Sequence, residues 1–166
     1  YIFEPGIFEH IPAGCEYDIG GQLFPDLVSK HLPFYGTTLP FQWLDIGTIA
    51  DFWEGTRRVL AGGFRGYRLP GHDRGDGVRM GINVRMNPER VDIRGPVYIG
   101  NSSEIGDGAV IQGPAVIGAG CVIGNDLSIG RFAMVGMGAL VTKPVEDFHL
   151  VLGHPARPVC CVCRCG

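Results

Sequence analysis

The sequence predicts a mainly β protein whose central part is a parallel β-helix. Aliphatic residues occupy every sixth position over nine consecutive steps: Ile93, Ile99, Ile105, Ile111, Ile117, Ile123, Ile129, Val135 and Val141. A small residue stands two positions before most of them, and glycine directly follows six of them. A short strand with one buried aliphatic and a tight corner produces this period, because corners need small residues and permissive backbone angles. Stacked coils of such strands bury the aliphatic side chains in one continuous core.

Composition supports this architecture and excludes several classes of partner. The chain has 27 glycines and 12 prolines among 166 residues, without a collagen-like triplet, which indicates a turn-rich repeat. The net charge is −3 and the arginines are scattered, so no basic surface for nucleic acid is expected. No apolar run is long enough to span a bilayer, and the first residues do not resemble a signal peptide. We therefore expect a cytoplasmic protein without membrane or nucleic-acid partners.

The six-residue period resembles the hexapeptide-repeat family, whose members fold as a left-handed β-helix with three hexads in each coil. The resemblance implies about three coils over residues 91–144, and the exposed faces of such coils favour a homo-oligomer. Asn101, Asn125 and Asp126 fall at corners where a positive φ is expected.

The residues before the repeat predict short elements of mixed type. Tyr1 to Glu4 indicates a strand that ends at Pro5, and apolar spacing predicts a helix over residues 22–31. Two short strands are expected over residues 34–39 and 41–45.

A second helix is predicted directly after these strands. Thr48 and Asp51 have the spacing of a capping box, and Gly62 and Gly63 are expected to end the helix. Its apolar face consists of Ile49, Phe52, Thr56, Val59 and Leu60. Residues 63–90, rich in Gly, Arg, Asp and Pro, indicate a linker. The alternative for this segment is phosphate binding by its arginines, Arg65, Arg68, Arg74 and Arg79.

Three sequence blocks resemble the second half of the catalytic domain of sugar-1-phosphate nucleotidyltransferases, an α/β domain. They are Tyr-Ile-Phe-Glu-Pro-Gly-Ile-Phe-Glu-His-Ile-Pro from Tyr1, Tyr-Asp-Ile-Gly-Gly-Gln-Leu-Phe-Pro-Asp-Leu from Tyr17 and Phe-Gln-Trp-Leu-Asp-Ile-Gly-Thr from Phe41. The blocks occur in the family's order within residues 1–62. The likeness is greatest to mannose-1-phosphate guanylyltransferases and related thymidylyltransferases, which often carry a C-terminal hexapeptide β-helix.

This resemblance implies a parent enzyme that joins a nucleoside triphosphate to a sugar 1-phosphate and releases pyrophosphate. The first expectation is that GTP and mannose 1-phosphate are the substrates and GDP-mannose is the product. It implies that Asp45 binds Mg²⁺, a cation that prefers oxygen ligands. Glu4 is expected to contact the sugar, and Asp18 to serve the substrate site and cap a local turn. The family's Gly-rich nucleotide loop and first metal-binding aspartate do not occur in these 166 residues. We therefore expect a C-terminal part that is inactive alone.

Acyl transfer is the principal alternative. Residues 133–145 and 150–159 resemble the closing coil and exit of hexapeptide acetyltransferases, which use acetyl-CoA and a histidine base. No histidine lies between His72 and His149, and the repeat has no loop excursion. Nucleotidyl transfer therefore ranks first. A third alternative is a non-catalytic β-helix that serves only oligomerisation.

The C-terminal extension, residues 145–166, contains four cysteines: Cys160, Cys161, Cys163 and Cys165. The pair Cys163 and Cys165 resembles the first half of a zinc-binding appendage found after some hexapeptide domains. Zn²⁺ needs four ligands in a tetrahedron. Zinc binding and free thiols therefore remain as two alternatives, and free thiols are favoured.

Overall fold

The computed structural model describes residues 1–162, which form two compact units, Tyr1–Phe41 and the remaining chain from Gln42. The predicted zinc ligands Cys163 and Cys165 lie outside the described residues. Within residues 1–162, no helix combines the length and apolar content that a membrane span requires.

The first unit is built from short helical segments. A 3₁₀-helix spans Pro5–His10, and a π-helical turn over Ile19–Leu23 continues directly into helix α1, Phe24–Ser29. Leu23 and Leu27 are buried. The ring of Phe24 lies 5.1 Å from that of Tyr1 and 4.7 Å from that of Phe34. The predicted helix over residues 22–31 is therefore confirmed in its centre.

The strands predicted over residues 1–4, 34–39 and 41–45 are wrong. The described residues of these segments form no strand and pair with no other segment. A short apolar run becomes a strand only where a neighbouring strand satisfies its backbone groups. Here Tyr1, Phe3 and Phe34 instead surround Phe24 as an aromatic cluster.

Helix α2, Ile49–Leu60, confirms the second predicted helix. Thr48 Oγ1 accepts a hydrogen bond from the Asp51 amide at 3.2 Å, and the Asp51 carboxylate accepts one from the Thr48 amide at 3.0 Å. This is the predicted capping box, in which Asp takes the place of Glu. Gly62, at φ 71°, follows the helix and adopts the left-handed conformation that favours glycine.

The second unit is dominated by a β-solenoid. Its strands are β1 (His72–Gly75), β2 (Val78–Met80), β3 (Asp92–Arg94), β4 (Val97–Ile99), β5 (Glu104–Ile105), β6 (Val110–Gln112), β7 (Ala115–Ile117), β8 (Val122–Ile123), β9 (Ser128–Ile129), β10 (Met134–Val135), β11 (Leu140–Val141), β12 (His149–Gly153) and β13 (Ala156–Cys161). They form three sheets with the orders β1-β2-β4-β7-β10-β12-β13, β11-β8-β5 and β3-β6-β9. All pairs are parallel except β1·β2 and β12·β13, so a hairpin borders each end of the large sheet.

The predicted hexapeptide repeat forms the core of the solenoid. The register pairs Ile99 with Ile117 and Ile117 with Val135, so each aliphatic lies on its counterpart one coil later. The small residues two positions earlier, such as Ala109 and Cys121, are also fully buried. A Cβ at Gly100 would overlap the backbone of Ala119, which explains the need for glycine at this corner.

The solenoid is longer than the predicted residues 91–144. Strand β2 lies inside the predicted linker of residues 63–90, yet it pairs in parallel with β4, and Val78 and Met80 are buried in the core. At the other end, β12 pairs in parallel with β10. The register changes at these ends, since Met80 pairs with Ile99 and Val135 with Val151. Three hexads make a regular coil eighteen residues long, but the added coils have spacings of nineteen and sixteen residues. The regular six-residue period therefore does not reveal them.

Corner conformations follow the prediction only in part. Asp126 has the expected positive φ of 57°. The expectation was wrong for Asn101 and Asn125, which do not adopt a positive φ, whereas Ser102, directly after Asn101, has a φ of 56°. The Asn101 side chain instead accepts a hydrogen bond from the Ile82 amide at 3.0 Å. Asn101 therefore contributes to contact between adjacent coils rather than to the turn itself.

Candidate functional site

Asp45, the predicted Mg²⁺ ligand, lies in a segment without regular structure just before helix α2 and is exposed. Its neighbours hold this segment in place. The Gln42 side chain donates to the Gly63 carbonyl at 2.8 Å and accepts from the Arg65 amide. Leu44 lies so close to the helix that a Cβ at Gly55 would approach its Cδ2 to 2.7 Å. Asp45 therefore lies between anchored residues and a capped helix.

Glu4 and Asp18 both belong to the first unit and are exposed. Glu4 precedes the 3₁₀-helix, and its backbone carbonyl accepts from the Ile7 amide at 3.0 Å. Asp18 precedes the π-helical turn, where its carboxylate accepts from the Gly21 amide and its amide donates to the Gln22 side chain at 2.8 Å. The capping role expected of Asp18 is therefore observed. Substrate binding by Glu4 and Asp18 stays a prediction.

Asp45 by itself provides an incomplete metal site. Within residues 1–162, no group of three or more His, Cys, Asp or Glu side chains is arranged to hold a metal ion. Mg²⁺ commonly uses one or two carboxylates and takes its other ligands from water and substrate phosphates. An exposed carboxylate fits one such position, and the chemistry of Asp45 is therefore compatible with the predicted role. Glu4 and Asp18 belong to the first compact unit and Asp45 to the second.

An apolar cleft of about 560 Å³, which the sequence did not predict, lies beside helix α2 in the second unit. One wall is the outer face of the large sheet, formed by Tyr98, Val116 and Met134. The opposite wall comes from the helix and the segment before it: Gln42, Trp43, Leu44, Ile46, Phe52, Gly55, Thr56, Val59, Leu60, Phe64 and Leu69. The sequence signal for this face is a large apolar residue directly before the buried aliphatic in successive coils.

Aromatic residues join the helix to the solenoid next to this cleft. The ring of Trp53 lies 4.8 Å from Phe148 and 5.7 Å from Phe132, and the two phenylalanine rings stack at 5.1 Å. The Trp53 indole also donates to the carbonyl of Val162, the residue directly after β13. The helix that follows Asp45 is thus attached to the solenoid.

Of the arginines singled out in residues 63–90, Arg79 has structural partners. Arg79 donates through Nε to the Leu69 carbonyl at 2.7 Å and lies 3.6 Å from the Asp73 carboxylate. It lines a cleft of about 900 Å³ together with Arg65 and Arg68. Arg79 therefore stabilises the chain entering the solenoid, and phosphate binding by these arginines stays a prediction.

Comparison with known families agrees with the order of these parts. Residues 1–62 match the family model described as nucleotidyl transferase, and residues 96–131 match that described as bacterial transferase hexapeptide (six repeats). The chain therefore carries part of a nucleotidyl transferase domain followed by a hexapeptide-repeat solenoid, as the sequence resemblance predicted.

Two curated relatives are similar to this chain. The chain is 47% identical over 111 residues to a UTP–glucose-1-phosphate uridylyltransferase of Synechocystis sp., an alignment covering 67% of the chain and 29% of the relative. It is 34% identical over 117 residues to a mannose-1-phosphate guanylyltransferase of Mycobacterium tuberculosis, covering 67% of the chain and 32% of the relative. The predicted resemblance to sugar-1-phosphate nucleotidyltransferases is thus confirmed. The chain spans about a third of the length of either relative.

Among solved structures, a hexapeptide-repeat-containing acetyltransferase from Vibrio cholerae is 24% identical, with a TM-score of 0.49 over 57% of this chain and 62% of that protein. A serine acetyltransferase from Neisseria gonorrhoeae is 23% identical, with a TM-score of 0.32 over 52% and 41% of the two chains. These likenesses carry no information about the activity of this chain.

Proposed function

We propose that this chain is part of a sugar-1-phosphate nucleotidyltransferase, which converts a nucleoside triphosphate and a sugar 1-phosphate to a nucleotide sugar and pyrophosphate. The observation that carries the proposal is the 47% identity to a uridylyltransferase over 111 residues. The order of the two family matches, residues 1–62 before residues 96–131, supports it.

In this proposal Asp45 is one ligand of Mg²⁺, and Glu4 accepts hydrogen bonds from sugar hydroxyls. Bound Mg²⁺ neutralises phosphate charge during transfer of the nucleotidyl group. The segment of Asp45 lies between the Gln42 hydrogen bonds and the capped start of helix α2. Asp18 acts mainly through the turn that it caps. The solenoid serves as the scaffold that carries helix α2.

The nucleotide and the sugar are the finer part of the proposal. The sequence resemblance favoured GTP and mannose 1-phosphate, and one relative has that specificity in its name. The greater identity is to the relative named for UTP and glucose 1-phosphate. We therefore place UTP with glucose 1-phosphate first and GTP with mannose 1-phosphate second.

The test is pyrophosphate release by the longer gene product that contains this chain, with each substrate pair and Mg²⁺. We expect activity with one of the two pairs and none from the 166-residue chain alone. An inactive longer protein with both pairs, or an active 166-residue chain, would contradict the proposal. A thermal shift with acetyl-CoA tests the acyltransferase alternative, and saturable stabilisation of the chain would favour that alternative.

Asp45→Asn in the longer protein tests the metal role. We expect activity at limiting Mg²⁺ to fall at least about tenfold, because changes around metal ligands commonly cost 10–100-fold in metal affinity. Raising the Mg²⁺ concentration should recover part of that loss. Glu89→Gln, which neutralises an exposed carboxylate elsewhere in the second unit, is the matched control and should retain full activity. Equal Mg²⁺ dependence in both variants would remove Asp45 from the metal site.

A further inference from the structure

The cleft of about 900 Å³ that contains Arg79 lies where the chain passes from helix α2 into the solenoid. Its lining runs from the last turn of helix α2 through the following segment to strand β2. The volume is within the range of small-molecule sites, about 300–1,000 Å³. Among the described residues that line it, three are arginines, Arg65, Arg68 and Arg79, and one is a carboxylate, Asp73. The cleft therefore has an excess of positive charge.

That excess is concentrated on two of the three arginines. Arg79 lies 3.6 Å from the Asp73 carboxylate, so its charge is balanced within the cleft. Within residues 1–162, no carboxylate lies within ion-pair distance of Arg65 or Arg68. Five arginines outside the cleft each pair with a carboxylate: Arg57, Arg85, Arg90, Arg94 and Arg131. The cleft thus differs from the rest of the described surface in holding two unbalanced guanidinium groups together.

The backbone that carries Arg65 and Arg68 is held at both ends. At one end, the Gln42 side chain accepts a hydrogen bond from the Arg65 amide. At the other end, Arg79 donates through Nε to the carbonyl of Leu69, the residue directly after Arg68, at 2.7 Å. An ordered backbone reduces the entropy that is lost when a ligand binds.

The charge and the shape of the guanidinium groups favour a phosphate. A guanidinium donates two parallel hydrogen bonds to phosphate oxygens, and a phosphate monoester carries a charge of about −1.5 to −2 at pH 7. Such a group balances both arginines, whereas a carboxylate would balance only one. The cleft also contains the ring of Tyr67, which is 52% exposed and lies between the two arginines in the sequence. An organic group attached to the phosphate therefore has an aromatic surface to contact.

We propose that this cleft binds a small phosphate monoester, with Arg65 and Arg68 holding the phosphate and Tyr67 packing against the organic part. These three residues lie between the two family matches, residues 1–62 and 96–131. The proposal is independent of the proposed nucleotidyl transfer, because it concerns binding by the 166-residue chain alone.

The test is isothermal titration calorimetry of the 166-residue chain at an ionic strength of about 0.15 M, which screens weak surface attraction. The three probes are phenyl phosphate, inorganic phosphate and phenol. We expect one phenyl phosphate per chain, several-fold weaker binding of inorganic phosphate because it lacks the ring, and no binding of phenol. Absence of saturable phenyl phosphate binding would overturn the proposal. Equal affinity for phenyl phosphate and inorganic phosphate would overturn the role of Tyr67.

Matched variants separate the cleft from the general charge of the chain. Arg65→Gln and Arg68→Gln should each weaken phenyl phosphate binding at least about tenfold, because each removes charge-assisted hydrogen bonds to the phosphate. Arg74→Gln is the control, since it removes the same charge from strand β1 at a residue that lines a different cleft. It should leave the affinity unchanged. Tyr67→Leu should weaken phenyl phosphate binding but not inorganic phosphate binding.

Circular dichroism confirms that each variant is folded. Unchanged affinity in Arg65→Gln or Arg68→Gln would remove that residue from the site, and unchanged affinity in both would overturn the proposal. An equal loss in Arg74→Gln would also overturn it, because total charge rather than the cleft would then attract the anion. These results do not depend on pyrophosphate release by the longer gene product, so the two proposals can fail separately.

Discussion

At the scale of single residues, the stability of the solenoid depends on buried side chains that pack on their counterparts in adjacent coils. Ile117 is fully buried between Ile99 and Val135 of the adjacent coils. Ser103 is the buried polar exception among residues 1–162, and its hydroxyl donates to the Gly118 carbonyl at 2.9 Å and accepts from the Cys121 amide at 3.2 Å. A buried hydroxyl satisfied in both directions carries little penalty.

Ile117→Ala tests the contribution of the aliphatic ladder. We expect a loss of about 2–5 kcal/mol in the free energy of unfolding, because the change leaves a cavity between two coils that cannot collapse independently. Urea unfolding followed by circular dichroism measures it. Val122→Ala is the control, since Val122 is 37% exposed and should cost far less. Equal losses in the two variants would contradict the assigned core.

Cys121 provides a second test at this scale. Burial raises the pKa of its thiol, despite opposing backbone hydrogen bonds from the adjacent coils. Because only the thiolate is nucleophilic, a raised pKa and burial both slow alkylation. We expect iodoacetamide at pH 8 to modify exposed Cys15 while Cys121 reacts only after denaturation, as measured by peptide mass spectrometry. Rapid labelling of Cys121 in the folded chain would contradict its place in the core.

At the scale of elements, helix α2 joins the two functional parts of the chain. Its residues belong to the nucleotidyl transferase match, yet they fold in the same compact unit as the solenoid. The capping box fixes the first turn, and Trp53 packs on Phe132 and Phe148. The helix thereby connects the segment of Asp45 to a rigid support.

Thr48→Ala tests the importance of the capping box. The change removes the acceptor for the Asp51 amide, and we expect it to destabilise the folded chain by about 0.5–2 kcal/mol. Thr142→Ala, at an exposed position after β11, should remain within about 0.5 kcal/mol of the unaltered chain. Thermal unfolding of both variants gives the comparison. If Thr48→Ala leaves the stability of the folded chain unchanged, tertiary contacts alone hold the start of the helix.

At the scale of the whole molecule, the main hydrophobic cluster lies in the second unit. Every residue of the main buried cluster lies between Val78 and Val151. The first unit has its own small core around Leu23 and Leu27. Stability of the solenoid therefore arises from contacts between consecutive coils, as in other repeat proteins.

A chain truncated to residues 42–166 tests this division. We expect it to retain the β-rich circular dichroism spectrum and the denaturant midpoint of the solenoid transition, because every residue of the main buried cluster lies within residues 42–166. The 166-residue chain is the reference in the same denaturant titration. A large decrease in the midpoint would show that the first unit is needed for solenoid stability.

The sequence by itself determined the solenoid and helix α2, because each depends on local patterns. A six-residue period defines which side chains face the core, and a capping box defines where a helix begins. The resemblance of the block around Asp45 also predicted a metal ligand there, and that role stays a prediction; Asp45 is exposed and lies just before helix α2.

Only the tertiary structure decided the ends of the solenoid, the apolar cleft beside helix α2 and the cleft lined by Arg65 and Arg68. The end coils depart from the eighteen-residue register, so no regular period marks them. The expected strands of residues 1–4 and 34–45 failed because a strand requires a partner that the local sequence does not specify. Arg65 and Arg79 are fourteen residues apart in the chain, and only the folded path of the segment between them brings both to one cleft.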